Sequence, residues 1–262
     1  AMVIFALFPA YFVLQAAFRP GQSLYSLTLS VWPDHPTWDN FRYLFNTPEV
    51  PFPTWLRNSI GVGVATMLAG LAGSATGAYA LARFRFTGKR MTLILLLAIQ
   101  AFPTALALVP IYVILKTIGL IGTPLGLVLA YVAQALVFCT WNLKGYFDTI
   151  PRELDEAALI DGCSITQAFI RIILPLSLPA IAVTALLMFL TAWNEWVMAQ
   201  TLLFNEDSYT VPVGLWGLQN DYRVPWGYFA AASCIVSIPV VVLFLGLQQY
   251  FRSGLTVGSV KG

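Results

Sequence analysis

Charge is scarce in this chain: only 10% of its 262 residues are Asp, Glu, Lys or Arg, against about 25% in an ordinary soluble domain. His35 is the single histidine, which removes a His-based metal site and most His-based acid–base catalysis. Cys139, Cys163 and Cys234 lie far apart and match no metal or redox spacing. No glycine-rich loop with Lys and Ser or Thr is available for phosphate, and no carboxylate pair stands beside a nucleophile, so no catalytic residue is named. The net charge of +2, with a pI of about 8.5, comes without a basic stripe. These absences exclude a nucleic-acid module, a disulfide scaffold and a disordered chain, and they argue against a membrane enzyme.

Apolar surface is what the chain has in excess. It is 58% hydrophobic with a mean hydropathy of +0.76, more than a water-soluble fold of this length can bury. Six runs, roughly 1–18, 59–82, 91–115, 123–143, 177–200 and 227–250, are long enough or nearly so to span about 30 Å of hydrocarbon as helices. The first opens at residue 1 without a basic flank. It is not read as a signal peptide, and the natural start is expected upstream. Segment 19–58 holds Pro20, Pro33, Pro36, Pro48, Pro51 and Pro53 and is expected to be an irregular lid outside the membrane. Pro103 and Pro110 predict a third span that is kinked or broken and covered by protein. Gly61, Ala65, Ala69, Gly73 and Gly77 form a small-residue stripe on the second span, suited to close packing within the chain or against another subunit.

The basic residues give an orientation. Arg83, Arg85, Lys89, Arg90, Lys144, Arg152, Arg171, Arg252 and Lys261 fall on one side of the six spans. Arg19, Arg42, Arg57, Lys116 and Arg223 fall on the other. The positive-inside rule then places 83–90, 144–176 and the tail 251–262 in the cytoplasm, together with both termini.

Segment 144–176 is too long for a connector and reads as helical. Pro151 suits a first helical turn, and Glu153, Asp155 and Glu156 complement the dipole there. Gly162 stops the helix, and Ser164 with Gln167 starts another through a capping box. Ile165, Phe169 and Ile172 share one face, and Pro175 is expected to end the element. The result is a helix–turn–helix elbow with Leu159 and Ile160 near its tip. Two apolar side chains on a polar tip suit either a solvated loop or a knob for a pocket on another protein.

Here the residues carry a resemblance. Glu156-Ala157-Ala158, then Asp161-Gly162, then Ile172 and Leu174-Pro175 resemble the EAA motif of ABC importer permeases. Pro51–Ser59, Ala78–Phe84, Gly145-Tyr146-Phe147, Ser208–Gly214 and Gly254–Gly262 resemble the carbohydrate branch of that family, its maltose/maltodextrin type, with a permease of the same family for another sugar such as trehalose or glycerol phosphate as the alternative. The resemblance implies an all-α membrane protein of six transmembrane helices, of the MetI-like type. It would form a single permease domain over 1–262, with the elbow at about 151–173, external loops at about 19–58 and 201–226, and a cytoplasmic tail at 251–262.

It also implies partners: a second permease subunit (MalF-like), two ATPase subunits (MalK-like) and a periplasmic or lipid-anchored sugar-binding protein, in the bacterial cytoplasmic membrane. ATP and magnesium would be bound by the ATPase, with no cofactor, metal or nucleic acid on this chain. Glu156, Ala157, Ala158, Leu159, Ile160, Asp161 and Gly162 would form the coupling helix that docks in an ATPase cleft. Glu156 would either hydrogen-bond the ATPase or only compensate the helix dipole. Gly254, Val260 and Lys261 would reach the ATPase interface, unless the tail, expected to be non-helical, simply frays. Asn220, Asp221 and Tyr222 would enter the binding protein's cleft, or form a plain surface turn.

Asn194 and Glu195 remain as pathway or gate candidates, because an ionisable group at membrane depth is functional by default. Glu195 lies between Trp193 and Trp196, as at an interfacial belt, which favours a structural or gate role over sugar binding. Tyr131, Trp141 and Phe189 have faces for a sugar ring or for helix packing. A stand-alone secondary transporter would need more intramembrane charges or duplicated halves than this chain offers.

Overall fold

A computed structural model describes residues 2–22, 32–219 and 224–257. Among the described residues there is no β-strand, and the chain folds into two compact units.

The first unit takes Ala1–Ile60 and Glu195–Val242. It contains α1 (Met2–Phe18), α2 (Asp39–Asn46) and the start of α3 (Phe52–Arg83). The lid is therefore not wholly irregular. Its helix α2 buries Leu44 and Asn40, the latter only 2% exposed. Asn40 donates through Nδ2 to the carbonyls of Ala17 and Arg19 at 3.0 and 2.9 Å, where the end of α1 leaves acceptors without helical partners. Gln22 Nε2 completes the amide by donating to Asn40 Oδ1 at 2.9 Å. Helix α3 starts at Phe52 rather than at 59, because Pro53 falls in its first turn, where a missing N–H costs nothing.

The second unit takes Gly61–Asn194 and Leu243–Gly262. The rest of α3 packs here with α6 (Pro124–Thr149) and α10 (Leu178–Asn194), after α4 (Lys89–Gln100) and α5 (Thr104–Thr117). Gly63 and Gly70 bring α3 against α10: a Cβ would lie 2.8 Å from the Phe189 ring at the first and 2.6 Å from the Met188 sulfur at the second. The small-residue stripe divides in two within this chain. Gly61, Ala65 and Ala69 are exposed in this chain, and only Gly73 and Gly77 turn toward α6, near Leu136 and Thr140. Tyr131 is fully buried and Phe189 stacks on Trp193 at 5.1 Å, so both serve packing.

The third apolar run is broken as Pro103 predicts: the chain bends by 105° between α4 and α5. Among the described residues nothing covers the break: 100–106 is exposed, and Leu115 alone of α5 is buried. Of the described helices, α3, α6 and α13 (Trp226–Val257) are each long and apolar enough to cross a membrane; counting each of two bent pairs as one span gives five. Helix α1 falls short of that length, so six spans are not established.

Candidate functional site: the elbow between α6 and α10

The elbow follows α6. Helix α7 (Glu153–Ile160) carries Glu153, Asp155 and Glu156 in its first turn, as the dipole favours. Its end is a Schellman motif: Cys163 N donates to Ala158 O at 2.9 Å and Gly162 N donates to Leu159 O at 3.1 Å. Gly162 sits at φ +85°, with open space around it. The conformation, not crowding, demands glycine there. Helix α8 (Ile165–Ala168) then opens with a complete capping box: Ser164 N donates to Gln167 Oε1 at 2.8 Å, and Gln167 N donates to Ser164 Oγ at 3.3 Å.

The elbow ends one residue past Pro175, at Leu176, as the proline predicts, but the helix that reaches it is not regular. Helix α8 runs into a π turn over Phe169–Ile173 and then α9 (Leu174–Leu176). Proline lacks an N–H and its ring crowds the carbonyl four residues back. The widened turn relieves both effects, with Leu174 N reaching back to Phe169 O. The chain then bends by 83° around Ser177 into α10. The inward face also differs from the expected one. Phe169 and Ile173 are buried, Ile172 half-buried, and Ile165 is 49% exposed. Phe169 lies 4.6 Å from Tyr79 and 6.4 Å from Phe147, which seats α8 on the ends of α3 and α6.

At the tip, Ile160 is 86% exposed and Leu159 47%. Glu156, Ala157, Asp161 and Gly162 are exposed as well, while Ala158 is buried. The structure thus brings seven of the singled-out residues into one projecting turn. Beneath them lies a cavity of about 240 Å³ lined by Tyr79, Arg83, Phe84, Arg152, Asp155, Glu156, Leu159 and Ile165. At its floor Arg83 Nε stands 2.8 Å from Asp155 Oδ2. Sequence reading missed this pair, although a basic residue closing a span and an acid opening the elbow were both in view.

The remaining candidates stand elsewhere. Asn194 Nδ2 donates to Leu190 O at 3.0 Å on its own helix. The Glu195 carboxylate accepts from Met198 N at 2.8 Å and Ala199 N at 3.1 Å, capping α11 (Val197–Leu202). Trp193 is buried within the chain. Segment 201–226 is more than a loop, for it includes α12 (Val211–Gly217). It is pinned to the start of α3 by Trp55 Nε1 donating to Glu206 O at 3.0 Å and Asn58 Nδ2 donating to Asp207 O at 2.7 Å. Ser59 Oγ accepts from Val211 N at 2.8 Å. Asn220, Asp221 and Tyr222 lie outside the described residues, as do Val260 and Lys261. Gly254 is described, and it corrects the expectation of a non-helical tail. Helix α13 continues through it to Val257, since one glycine costs about 1 kcal/mol, too little to stop a long helix.

Comparison with known proteins bears on this arrangement. The sequence model for "Binding-protein-dependent transport system inner membrane component" matches residues 56–257, which include the whole elbow. The chain is 40% identical to the galactooligosaccharides transport system permease protein GanQ of Bacillus subtilis, over all of this chain and 92% of that one. It is 38% identical to the maltose/maltodextrin transport system permease protein MalG of Yersinia pestis, over 98% of this chain and 89% of that one. Among solved structures, a chain of a bacterial ABC transporter involved in the import of the acidic polysaccharide alginate superposes with a TM-score of 0.80. It covers 95% of this chain and 92% of that one at 21% identity, a likeness of fold. The chain belongs to the family of binding-protein-dependent transport system inner membrane components, the non-catalytic permease subunits of ABC importers.

Proposed function

We propose that this chain is a membrane-spanning subunit of an ATP-driven importer of oligosaccharides of the maltose/maltodextrin type, in the bacterial cytoplasmic membrane. The observation that carries the reading is the elbow: a rigidly capped turn that projects Ile160 and Leu159 into solvent. Apolar side chains exposed on a projecting turn suit insertion into a pocket of another protein. In this reading the elbow is the coupling helix and faces the cytoplasm, as the loop charges favour. Its pocket belongs to one of two ATPase subunits, which bind the ATP and magnesium. A second permease subunit completes the membrane cavity, and an external sugar-binding protein delivers the solute. ATP-driven closure of the ATPases displaces the elbow and biases the cavity between inward-open and outward-open states, a two-state element acted on from a distance.

A galactooligosaccharide is the second reading of the solute, favoured by the 40% identity to GanQ. The test is purification in mild detergent followed by ATP hydrolysis with a panel of sugar-loaded binding proteins. Recovery of an ATPase and stimulation by maltodextrin are expected; stimulation by galactooligosaccharide alone would select the second reading. Glu156→Lys and Gly162→Pro are expected to leave the subunit in the membrane and to uncouple hydrolysis from uptake. Full sugar-coupled activity in both variants would sink the coupling role.

A further inference from the structure

Ile150 and Phe169, at the two ends of the elbow, share an apolar cluster with Tyr79 and Ala82 of α3, but α7 between them is tied to α3 chiefly by polar groups. Only Ala158 of α7 is buried, too little apolar surface to fix an eight-residue helix in place. Arg83, the last residue of α3, and Asp155 form an ion pair at 2.8 Å with side chains only 7% and 14% exposed. Arg83 Nη2 also donates to Ile150 O at 3.0 Å. Arg152 returns the tie, its Nη2 donating at 3.0 Å to Ala82 O, in the last turn of α3, where helical N–H partners run out. Tyr79 hydroxyl donates to Asp155 Oδ1 at 3.0 Å. The ring of the same tyrosine packs on Phe169 of the second arm. One residue of α3 therefore holds both arms of the elbow.

A buried ion pair is a poor source of stability, because desolvation offsets most of its attraction and an apolar pair does as well. What it supplies is direction. The planar fork of Arg83 meets a carboxylate and a carbonyl together in only one relative position of α3 and α7. We propose that Arg83, Asp155 and Tyr79 form the joint that passes displacement of the elbow to α3. They are positioning residues for transport, and they touch neither the ATPase nor the solute. This rests on the coupling role proposed above. Without the joint, a push on the tip is taken up by rotation of α7 about 150–152, and α3 stays behind.

The experiment reads ATP hydrolysed per sugar imported, in proteoliposomes holding the complete assembly and its binding protein. Wild type comes first: if it shows no ATP-driven uptake, the importer reading itself falls, independently of the joint. With wild type coupled, Asp155→Asn and Arg83→Gln are expected to raise the ratio by about ten-fold, within the usual range of allosteric coupling. Arg83→Lys keeps the charge but cannot reach carboxylate and carbonyl at once, and a smaller rise is expected. A wild-type ratio in Asp155→Asn and Arg83→Gln overturns the proposal, even where less assembly reaches the membrane, since a merely structural pair moves abundance and not the ratio. If those two fail to assemble, Arg83→Lys and Tyr79→Phe are read in the same way, and wild-type ratios there overturn it equally.

Discussion

Ile160 makes almost no contact within its own chain, so what it contributes must be sought outside it. Replacing so exposed a side chain alters folding by no more than about 0.5 kcal/mol. Ile160→Asp is therefore expected to leave the amount of subunit in the membrane unchanged and to strip the ATPase from it in a pull-down; full recovery of the ATPase would remove the knob role. Gly214 presents the opposite case, because a methyl there overlaps the Trp55 indole. Gly214→Ala is expected to cost about 1–3 kcal/mol by overpacking. Gly70→Ala should cost less, as its neighbour is the thioether of Met188, which can swing aside. Thermal unfolding in detergent gives the order, and a reversed order contradicts this account.

Among the elements, α11 depends on a single carboxylate. Glu195 satisfies two N–H groups at its start, a capping arrangement worth about 1 kcal/mol. Glu195→Ala should lower stability by that amount, while Glu195→Gln retains an acceptor and should transport normally. Loss of transport in Glu195→Gln with stability intact would assign the charge to the pathway instead. The elbow was legible in the sequence because its signals are local: three acids, a glycine and a Ser–Gln pair lie within a few residues of the turns they set. The Tyr79–Asp155 tie was not, since its partners are 76 positions apart and no periodicity links them. The π turn escaped for another reason. Pro175 marks where the helix ends, at Leu176, but carries no sign that the turn before it widens, where Phe169 and Ile173 are buried against the bundle. Helix α2 was hidden among the prolines of its flanks, and the close approaches of α3 fell at Gly63 and Gly70, one face away from the small-residue stripe.

At the scale of the whole molecule, most of what is exposed on α4 and α5 is apolar, and the backbone breaks in the middle of it. Hydrocarbon leaves a broken backbone unsatisfied, so the 100–104 stretch requires protein or a water-filled cavity beside it in the assembled particle. The orientation of that particle has a built-in reporter. Cys139 is buried in α6, Cys234 lies within α13, and Cys163 is half-buried in the elbow. On the orientation favoured by the loop charges, a membrane-impermeant maleimide should label Cys163 in inside-out vesicles and spare it in right-side-out ones. The reverse pattern would turn the molecule over and place the elbow on the wrong face for an ATPase.

The stretches 51–59 and 208–214, far apart along the chain, interlock through Trp55, Ser59, Val211 and Gly214. Such a mortise must be cut to match on both sides. A chimera that borrows one stretch from a relative should assemble poorly, and one that borrows both should be whole again. For anyone exchanging segments between permeases to move solute preference, those two stretches form a single unit of inheritance.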